Sequence, residues 1–198
     1  MRKLFAVLCL WSSCSVTLAL PGPTVTKAYA DNKGLVHIVT ADGRDHTISP
    51  EKGQDGIGNI KVAPDGVTVG WLVNSRTCCV SYAVPLELAL WQAGQIIQRV
   101  HPTMAIWAWG FVKNGQKIAY RNSPLHGGWS GECVLTDIAS GKVLATWDHP
   151  VDENGNDVDE KNADEIEAEP DWAKQIPDPV NLSRDGAAPT KTTPQSKQ

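Results

Sequence analysis

The chain has 198 residues, of which 41% are hydrophobic and 7% aromatic, and its formal net charge is −4 at pH 7. This length suits one domain with a targeting segment and a tail. Lysine and arginine are not clustered anywhere, so the sequence does not predict a nucleic-acid-binding surface.

The first 19 residues have the pattern of a secretory signal peptide. Two basic residues follow Met1, residues 4–10 are apolar, and residues 17–19 end in a small residue at the predicted cleavage site. Polar residues at positions 12–17 interrupt the apolar run, so a continuous membrane span of about 20 residues is missing. We predict cleavage after Ala19, a secreted or periplasmic location and no integral membrane span in the mature chain. A lipid anchor at Cys14 stays open as an alternative.

The body begins with three predicted strands. Apolar and β-branched residues favour strands over Thr24–Ala30, Leu35–Thr40 and Arg44–Ser49, and each joint between them ends near a glycine. Three more glycines, at positions 53, 56 and 58, predict a loop after the third strand.

Two matching stretches follow, Asn59–Trp71 and Ala108–Tyr120. Each has a short apolar run, a turn ending in glycine (Asp-Gly at 65–66 and Asn-Gly at 114–115) and a second apolar run that closes on an aromatic residue. These dipeptides are strong hairpin signals, because the turn needs positive φ values that they tolerate. The two glycines lie 49 residues apart, a period typical of a repeat of β-blades.

Around these hairpins the sequence predicts two units of four strands. An outer hairpin with a glycine recurs in all three units, at Gly43, Gly94 and Gly141. Residues 87–98 contain helix formers, but the equivalent stretches of the other units are strand-like, so we predict strands here too. The strands predicted for the two units are Ile60–Ala63, Val67–Asn74, Leu86–Trp91, Gln95–Val100, Ala105–Val112, Lys117–Arg121, Cys133–Asp137 and Lys142–Trp147.

The composition changes after Trp147. Residues 20–147 carry 11 Lys/Arg and 9 Asp/Glu, whereas residues 148–198 carry 5 and 13. A polar, acidic segment with several prolines cannot bury enough apolar surface to offset the entropy of ordering it. We therefore predict three regions: a signal peptide at 1–19, a β-domain at 20–148 and a flexible, acidic, proline-containing tail at 149–198. Docking of Trp172 and Ile176 on the body is the alternative.

The turns of the repeat carry a resemblance to a known family. The Pro-Asp-Gly turn at 64–66, Asp137 and the Gly-Lys pair at 141–142 resemble the β-propeller blades of TolB-like and WD-repeat-like proteins. The third unit departs from this pattern with Lys-Asn-Gly at 113–115, and the second has Trp-Gln at 91–92 in place of the outer aspartate. The resemblance covers about residues 25–147. It implies an all-β, partial (half) β-propeller of two four-stranded blades and one three-stranded blade, followed by a disordered acidic tail, and it implies little about activity.

A half propeller has open ends that must be covered. Complete propellers have four to eight blades, and exposed sheet edges promote association. Either two chains complete a ring, or loops, the tail or another protein cap the ends. Trp107 and Trp109 alternate with Ala108, so we expect both rings on one side of a strand. We predict that they lie in the core between blades, with an adhesive self-association patch as the alternative.

Two long loops, Asn74–Pro85 and Asn122–Glu132, are the candidate binding surface. Because they occupy equivalent positions in neighbouring units, they should emerge on the same rim, where binding residues concentrate on β-scaffolds. The predicted function is therefore non-catalytic binding of a protein partner or of a second copy. A hydrolase or lyase acting on a glycan or peptide through Arg76, His126 and Glu132 is the alternative. The candidate rim residues are Arg76, Tyr82, His126, Trp129 and Glu132.

Three cysteines remain after signal cleavage. An exported chain meets oxidising conditions, which favour a disulfide. A vicinal Cys78–Cys79 bridge is disfavoured, because adjacent Cα atoms lie about 3.8 Å apart and bridges prefer about 5.5 Å. We expect Cys133 to pair with either Cys78 or Cys79. A reactive thiol at Cys78 or Cys79, acting as a redox sensor, is a further alternative.

The sequence contains no recognisable catalytic or nucleotide-binding motif. No Cys or His pairs have the spacing of a zinc site, so we expect no metal. Because the catalytic and nucleotide-binding motifs are also missing, we expect no cofactor and no catalytic residue. His37 and His46 could meet across the first hairpin beside Asp45 and form a metal or acid–base site. Ordinary polar residues on an exposed hairpin explain the same pattern.

Overall fold

A computed structural model describes residues 22–78, 80–125, 131–148, 150 and 168–177. These residues form eleven β-strands and no helix, which confirms the predicted all-β class. The strands are β1 Val25–Ala30, β2 Val36–Thr40, β3 Asp45–Ile48, β4 Gln54–Val62, β5 Thr68–Ser75, β6 Val84–Gln92, β7 Gln95–Val100, β8 Ala105–Val112, β9 Lys117–Ser123, β10 Glu132–Asp137 and β11 Val143–Asp148.

The strands form three antiparallel sheets in chain order. The first sheet has the order β1-β2-β3, the second β4-β5-β6-β7 and the third β8-β9-β10-β11. Within each sheet, every strand pairs with its neighbours in sequence. The three units read from the sequence are therefore three separate sheets with the expected numbers of strands.

Glycines lie at the chain reversals, at the positions that the sequence repeat predicted. Gly66 and Gly115 close the two matching hairpins with φ values of 71° and 85°. The outer-hairpin glycines also have positive φ values, in a region that L-residues rarely adopt. The recurrence of glycine thus follows from a backbone requirement that recurs once per sheet.

Gly53 precedes β4, but Gly56 and Gly58 lie in its first half, so the prediction of a loop is wrong for these two glycines. Gly58 pairs with Leu72 across the ladder. A Cβ on Gly58 would lie 3.5 Å from Nδ2 of Asn74, an ordinary van der Waals distance, so space alone does not require glycine at this position. Two register shifts within β4 show that the strand is bulged, which is where glycine is common in strands.

The sheets stack face to face, and the second sheet is buried on both sides. In β6, Ala89 and Trp91 pack against the first sheet, whereas Leu88 and Leu90 pack against the third. Successive side chains of a strand point to opposite faces, so a strand buried on both faces is continuously apolar. The second sheet therefore holds the first and third sheets in place.

Part of the predicted flexible tail belongs to the folded body. Ala173 and Ile176 are 0% and 6% exposed and pack on the outer face of the third sheet. The chain turns tightly there, since the Ala173 amide donates to the carbonyl of Pro170 at 2.8 Å. The prediction of a flexible tail is thus wrong for residues 168–177, which bury the few apolar side chains of an otherwise polar segment.

The described ranges contain no helix that is long and apolar enough to cross a membrane. The predicted signal peptide at 1–19 lies outside these ranges. Export and the secreted or periplasmic location stay predictions.

Candidate binding surface at the loop end

The stack has two ends along the strand direction, because all its strands run antiparallel. One end, the turn end, carries the tight turns 41–44, 63–67, 93–94, 113–116 and 138–142. The opposite end, the loop end, carries the described residues of the connections 31–35, 49–53, 76–83, 101–104 and 124–131. Both long loops singled out in the sequence lie at the loop end.

The two long loops touch each other through Tyr82. Its hydroxyl donates a long hydrogen bond of 3.5 Å to the carbonyl of Leu125, which joins the loop of the second sheet to that of the third. The residue is nevertheless 50% exposed. The described residues of the two loops therefore meet on one rim, as expected from their equivalent positions in neighbouring units. An accessible aromatic ring lies between them.

Arg76 lies at the start of the same loop. Its Nε is 3.3 Å from Oδ2 of Asp55, and its side chain is 76% exposed. An exposed pair of this kind adds little stability, about 0–1 kcal/mol. Its effect is to hold a largely accessible guanidinium beside the loop.

Glu132 opens β10 on the neighbouring sheet. It lies across the ladder from Asn122 and Asp148, and the buried amide of Asn122 donates to Oε2 of Glu132 at 3.4 Å. Placing the carboxylates of Glu132 and Asp148 at opposite positions is unfavourable, because like charges repel there. This part of the loop end is therefore acidic.

Sequence reasoning missed a charged cluster between the first two sheets at this end. Glu87 is buried in β6, and its carboxylate pairs with Arg99, which also contacts Glu51. His101 Nδ1 lies 3.5 Å from Oε2 of Glu87. A buried carboxylate needs such partners. The sequence signal that could have revealed this cluster is Glu87 itself, the one acidic residue inside the apolar run 84–91.

A β-bulge separates the two tryptophans of β8. Ile106 pairs with Asn122 and Ala108 with Arg121, so Trp107 is the extra residue, and the expected strict alternation fails. Trp109 is fully buried between the second and third sheets. Trp107 is half-buried and its indole N–H donates to the carbonyl of Ser123 at 3.2 Å. Of the two rings proposed for self-association, only Trp107 is therefore accessible.

Cys133 is a buried thiol in the structure, and Cys78 is exposed at the end of β5. Burial raises the pKa of the Cys133 thiol, and the hydrogen bond and positive charge of Arg121 partly offset this rise. Cys79, His126 and Trp129 lie outside the described residues. The bridge from Cys133 to Cys78 or Cys79, and the roles of His126 and Trp129, stay predictions.

The proposed meeting of two histidines on the first hairpin is wrong. His37 pairs with Thr47, and His46 pairs with Ile38, so the two rings point to opposite faces of the sheet. His37 stacks on Tyr29 on the outer face, whereas His46 packs against Trp91 on the inner face. In the part of the chain that the structure describes, no group of three His, Cys, Asp or Glu residues is arranged to hold a metal ion.

The turn end has a cleft of about 470 Å³ between the second and third sheets. Its carboxylates already serve the turns. Asp65 accepts hydrogen bonds from the Thr68 amide at 3.0 Å and hydroxyl at 2.7 Å. Asp137 accepts from the amide and hydroxyl of Ser140, which lowers the pKa of its carboxyl. These internal bonds explain the recurring aspartates as turn-forming groups and make the loop end the better candidate.

No protein-family model matches the chain, and no curated protein matches it.

Proposed function

We propose that this protein is an exported, non-catalytic, β-propeller-like module that binds a protein partner through its loop end. The resemblance of the Pro-Asp-Gly turn and outer hairpins to propeller blades supports the fold. So does the regular stacking of three antiparallel sheets in chain order. A rigid stack of this kind presents loops in a fixed arrangement, which lowers the entropic cost of binding.

One observation carries the binding proposal. The two long loops meet at Tyr82, whose ring stays half exposed while its hydroxyl is fixed against Leu125. Tyrosine is enriched at protein interfaces, because it offers a large apolar surface and a polar end at a low entropic cost. Beside it, Arg76 offers an accessible guanidinium, another group enriched at interfaces.

The enzyme alternative has weaker support. Arg76 is engaged with Asp55 on the second sheet, whereas Glu132 is engaged with Asn122 on the third. Acid–base catalysis needs groups that converge on one reacting atom. These two groups have separate partners, so binding accounts for the arrangement better.

A photo-crosslinking experiment tests the proposal. A benzophenone amino acid is placed at Tyr82 in the full-length chain. The chain is expressed in the cells that naturally produce it, so that it can be exported, and these cells are then irradiated. We expect a discrete protein adduct at Tyr82. Placing the same group at Arg44, which lies at the turn end with a 75% exposed side chain, should give none. N-terminal sequencing of the same sample should begin at Leu20 if the signal peptide is cleaved.

Charge substitutions then show whether the adduct reflects a specific surface. Arg76→Glu should reduce the yield of the Tyr82 adduct severalfold, whereas Arg44→Glu should leave it unchanged. Equal adducts from both ends of the stack, or none from the loop end, would contradict binding through this surface.

A further inference from the structure

Residues 168–177, which we call the cap, cover the outer face of the third sheet. Ala173 and Ile176 are buried against that face, and Glu169 lies 3.7 Å from Arg121 at its margin. The cap approaches β8 closely, since a Cβ on Gly110 would lie 3.6 Å from the carbonyl oxygen of Gln175. The apolar residues beneath the cap are Ala108, Val112, Ala119, Cys133, Leu135 and Trp147.

The cap fills its place incompletely. Three of its side chains, Trp172, Ala173 and Ile176, provide its apolar contact with the sheet. A cavity of about 190 Å³ remains at its edge, between Trp172 and Leu135. Atoms that line such a space lose part of their packing partners. A short segment with few apolar contacts opens more easily than the sheets do.

Two other routes to self-association are obstructed. The outer face of the first sheet is polar, with Tyr29 and His37 stacked beside Lys27. Five of the six edge strands contain a register shift, and the sixth, β3, has four residues. Bulges and short strands at edges prevent edge-to-edge pairing. The apolar face under the cap is the remaining surface in the described structure that resembles the two internal sheet interfaces.

We propose that this face is a docking surface for a second copy of the chain, and that the cap keeps it closed. The second copy is the occupant that the fold favours, because apolar sheet faces of the same kind already pack on each other twice within the stack. A two-fold pair of third-sheet faces would extend the stack from three sheets to six and leave a polar face at each end. The proposal concerns the outer face of the third sheet rather than the contact between Tyr82 and Leu125, and it does not depend on binding at the loop end.

The test opens the cap in the full mature chain, under reducing conditions. In the double variant Ala173→Asp/Ile176→Asp, two carboxylates must leave the apolar face, which opens the cap. At a concentration low enough to keep the variant monomeric, so that no second copy covers the face, Cys133 should then react with an alkylating agent at least tenfold faster, measured by peptide mapping. At tens of micromolar, light scattering should give twice the monomer mass, whereas the wild type gives one. Lys174→Asp, in the same segment but 53% exposed, is the matched control and should behave as wild type.

A second, milder variant protects the test against misfolding. Glu169→Lys replaces attraction to Arg121 with repulsion and leaves the apolar contacts intact, so it should give a smaller dimer fraction. An excess of a free peptide with the sequence of residues 168–177 should return both variants to monomers and slow the alkylation of Cys133. A variant whose Cys133 reacts quickly at low concentration while its mass stays monomeric at tens of micromolar would overturn the proposal. So would open-ended aggregation that the peptide does not reverse, or capture of a different protein in place of a second copy.

Discussion

The two outer faces of the stack, one on the first sheet and one on the third, differ in polarity and in whether another segment covers them. On the first sheet, Tyr29 lies 4.9 Å from the His37 ring, Lys27 lies 4.3 Å above Tyr29, and Asp45 lies 3.0 Å from Nδ1 of His37. These groups are paired with one another and can face water. The corresponding face of the third sheet is apolar and is covered by the cap.

The difference shows what ends a series of stacked sheets. Side chains alternate between the two faces of a strand, so the outward residues can change without altering the inward ones. With polar outward residues, as at Tyr29 and His37, the face needs no cover. With apolar outward residues, as at Leu135 and Trp147, the face needs another layer, which the cap provides at one end.

The largest expected effect comes from removing one aromatic ring at each face. Trp147→Ala should lower the free energy of unfolding by about 3–5 kcal/mol, because a large buried side chain is lost and a cavity is left. Tyr29→Ala should cost about 1 kcal/mol or less, since it loses only a partly exposed stack and a cation–π contact. Urea unfolding of both variants, followed by circular dichroism, measures the difference.

A double-mutant cycle sharpens this comparison. If the cap and Trp147 form one packed unit, the cost of Trp147→Ala should be smaller in an Ile176→Ala background, with a coupling of about 0.5–3 kcal/mol. Tyr29→Ala should show no coupling to Ile176→Ala. Additive losses at Trp147 would mean that the cap does not complete this part of the core.

An intermediate effect is expected at the interface between the second and third sheets. A Cβ on Gly70 would lie 2.6 Å from Cη2 of Trp109 and 2.9 Å from Cδ2 of Leu90, both fully buried. Gly70→Ala should therefore destabilise the chain by about 1–3 kcal/mol through overpacking.

The matched control for this prediction is Gly56→Ala. Its added Cβ would meet no atom closer than 3.8 Å, so a change within about 0.5 kcal/mol is expected. Thermal unfolding of the two variants gives the comparison. Equal melting temperatures would show that Trp109 can move aside, which would make this interface looser than its burial indicates.

Sequence patterns predicted most of the fold because its turns impose a local requirement. Positive φ at Gly66, Gly94 and Gly141 is visible as a recurring glycine. The same reasoning failed at Gly58, because glycine in a bulged strand looks like glycine in a turn until the pairing of β4 with β5 is known. Docking of Trp172 and Ile176 was only the alternative prediction, because the few apolar residues of the cap become significant only against a face assembled from distant strands.

The candidate site was predictable to a lesser extent. Equivalent positions in a repeat correctly brought the loops of Tyr82 and Leu125 together. The ion pairs of Glu87 depend on which strands are neighbours, and the separation of His37 from His46 depends on a one-residue choice of register. A bulge at Trp107 breaks the expected alternation of Trp107 with Trp109, and composition does not specify a bulge.

The smallest expected effect is a dependence on pH at the polar face. The hydrogen bond to Asp45 is the main cause of the raised pKa of His37, and the charges of Asp45 and Asp31 add to it. Because the folded pKa is above the ordinary value of 6.5, the stabilisation is fully present below about pH 6.5 and is lost as the pH rises through the folded pKa. The pKa of Asp31 is lowered, chiefly by the hydrogen bond from the Leu35 amide. The stabilisation that its ionised carboxylate provides is therefore present above about pH 3.8 and is lost as the pH falls further.

An NMR titration of His37 should show its pKa falling toward 6.5 in Asp45→Asn. Asp42→Asn removes a charge from the turn of the same hairpin and should leave the pKa of His37 nearly unchanged. Equal pKa values in the two variants would mean that general hairpin charge, rather than the specific contact with Asp45, sets the protonation of this face.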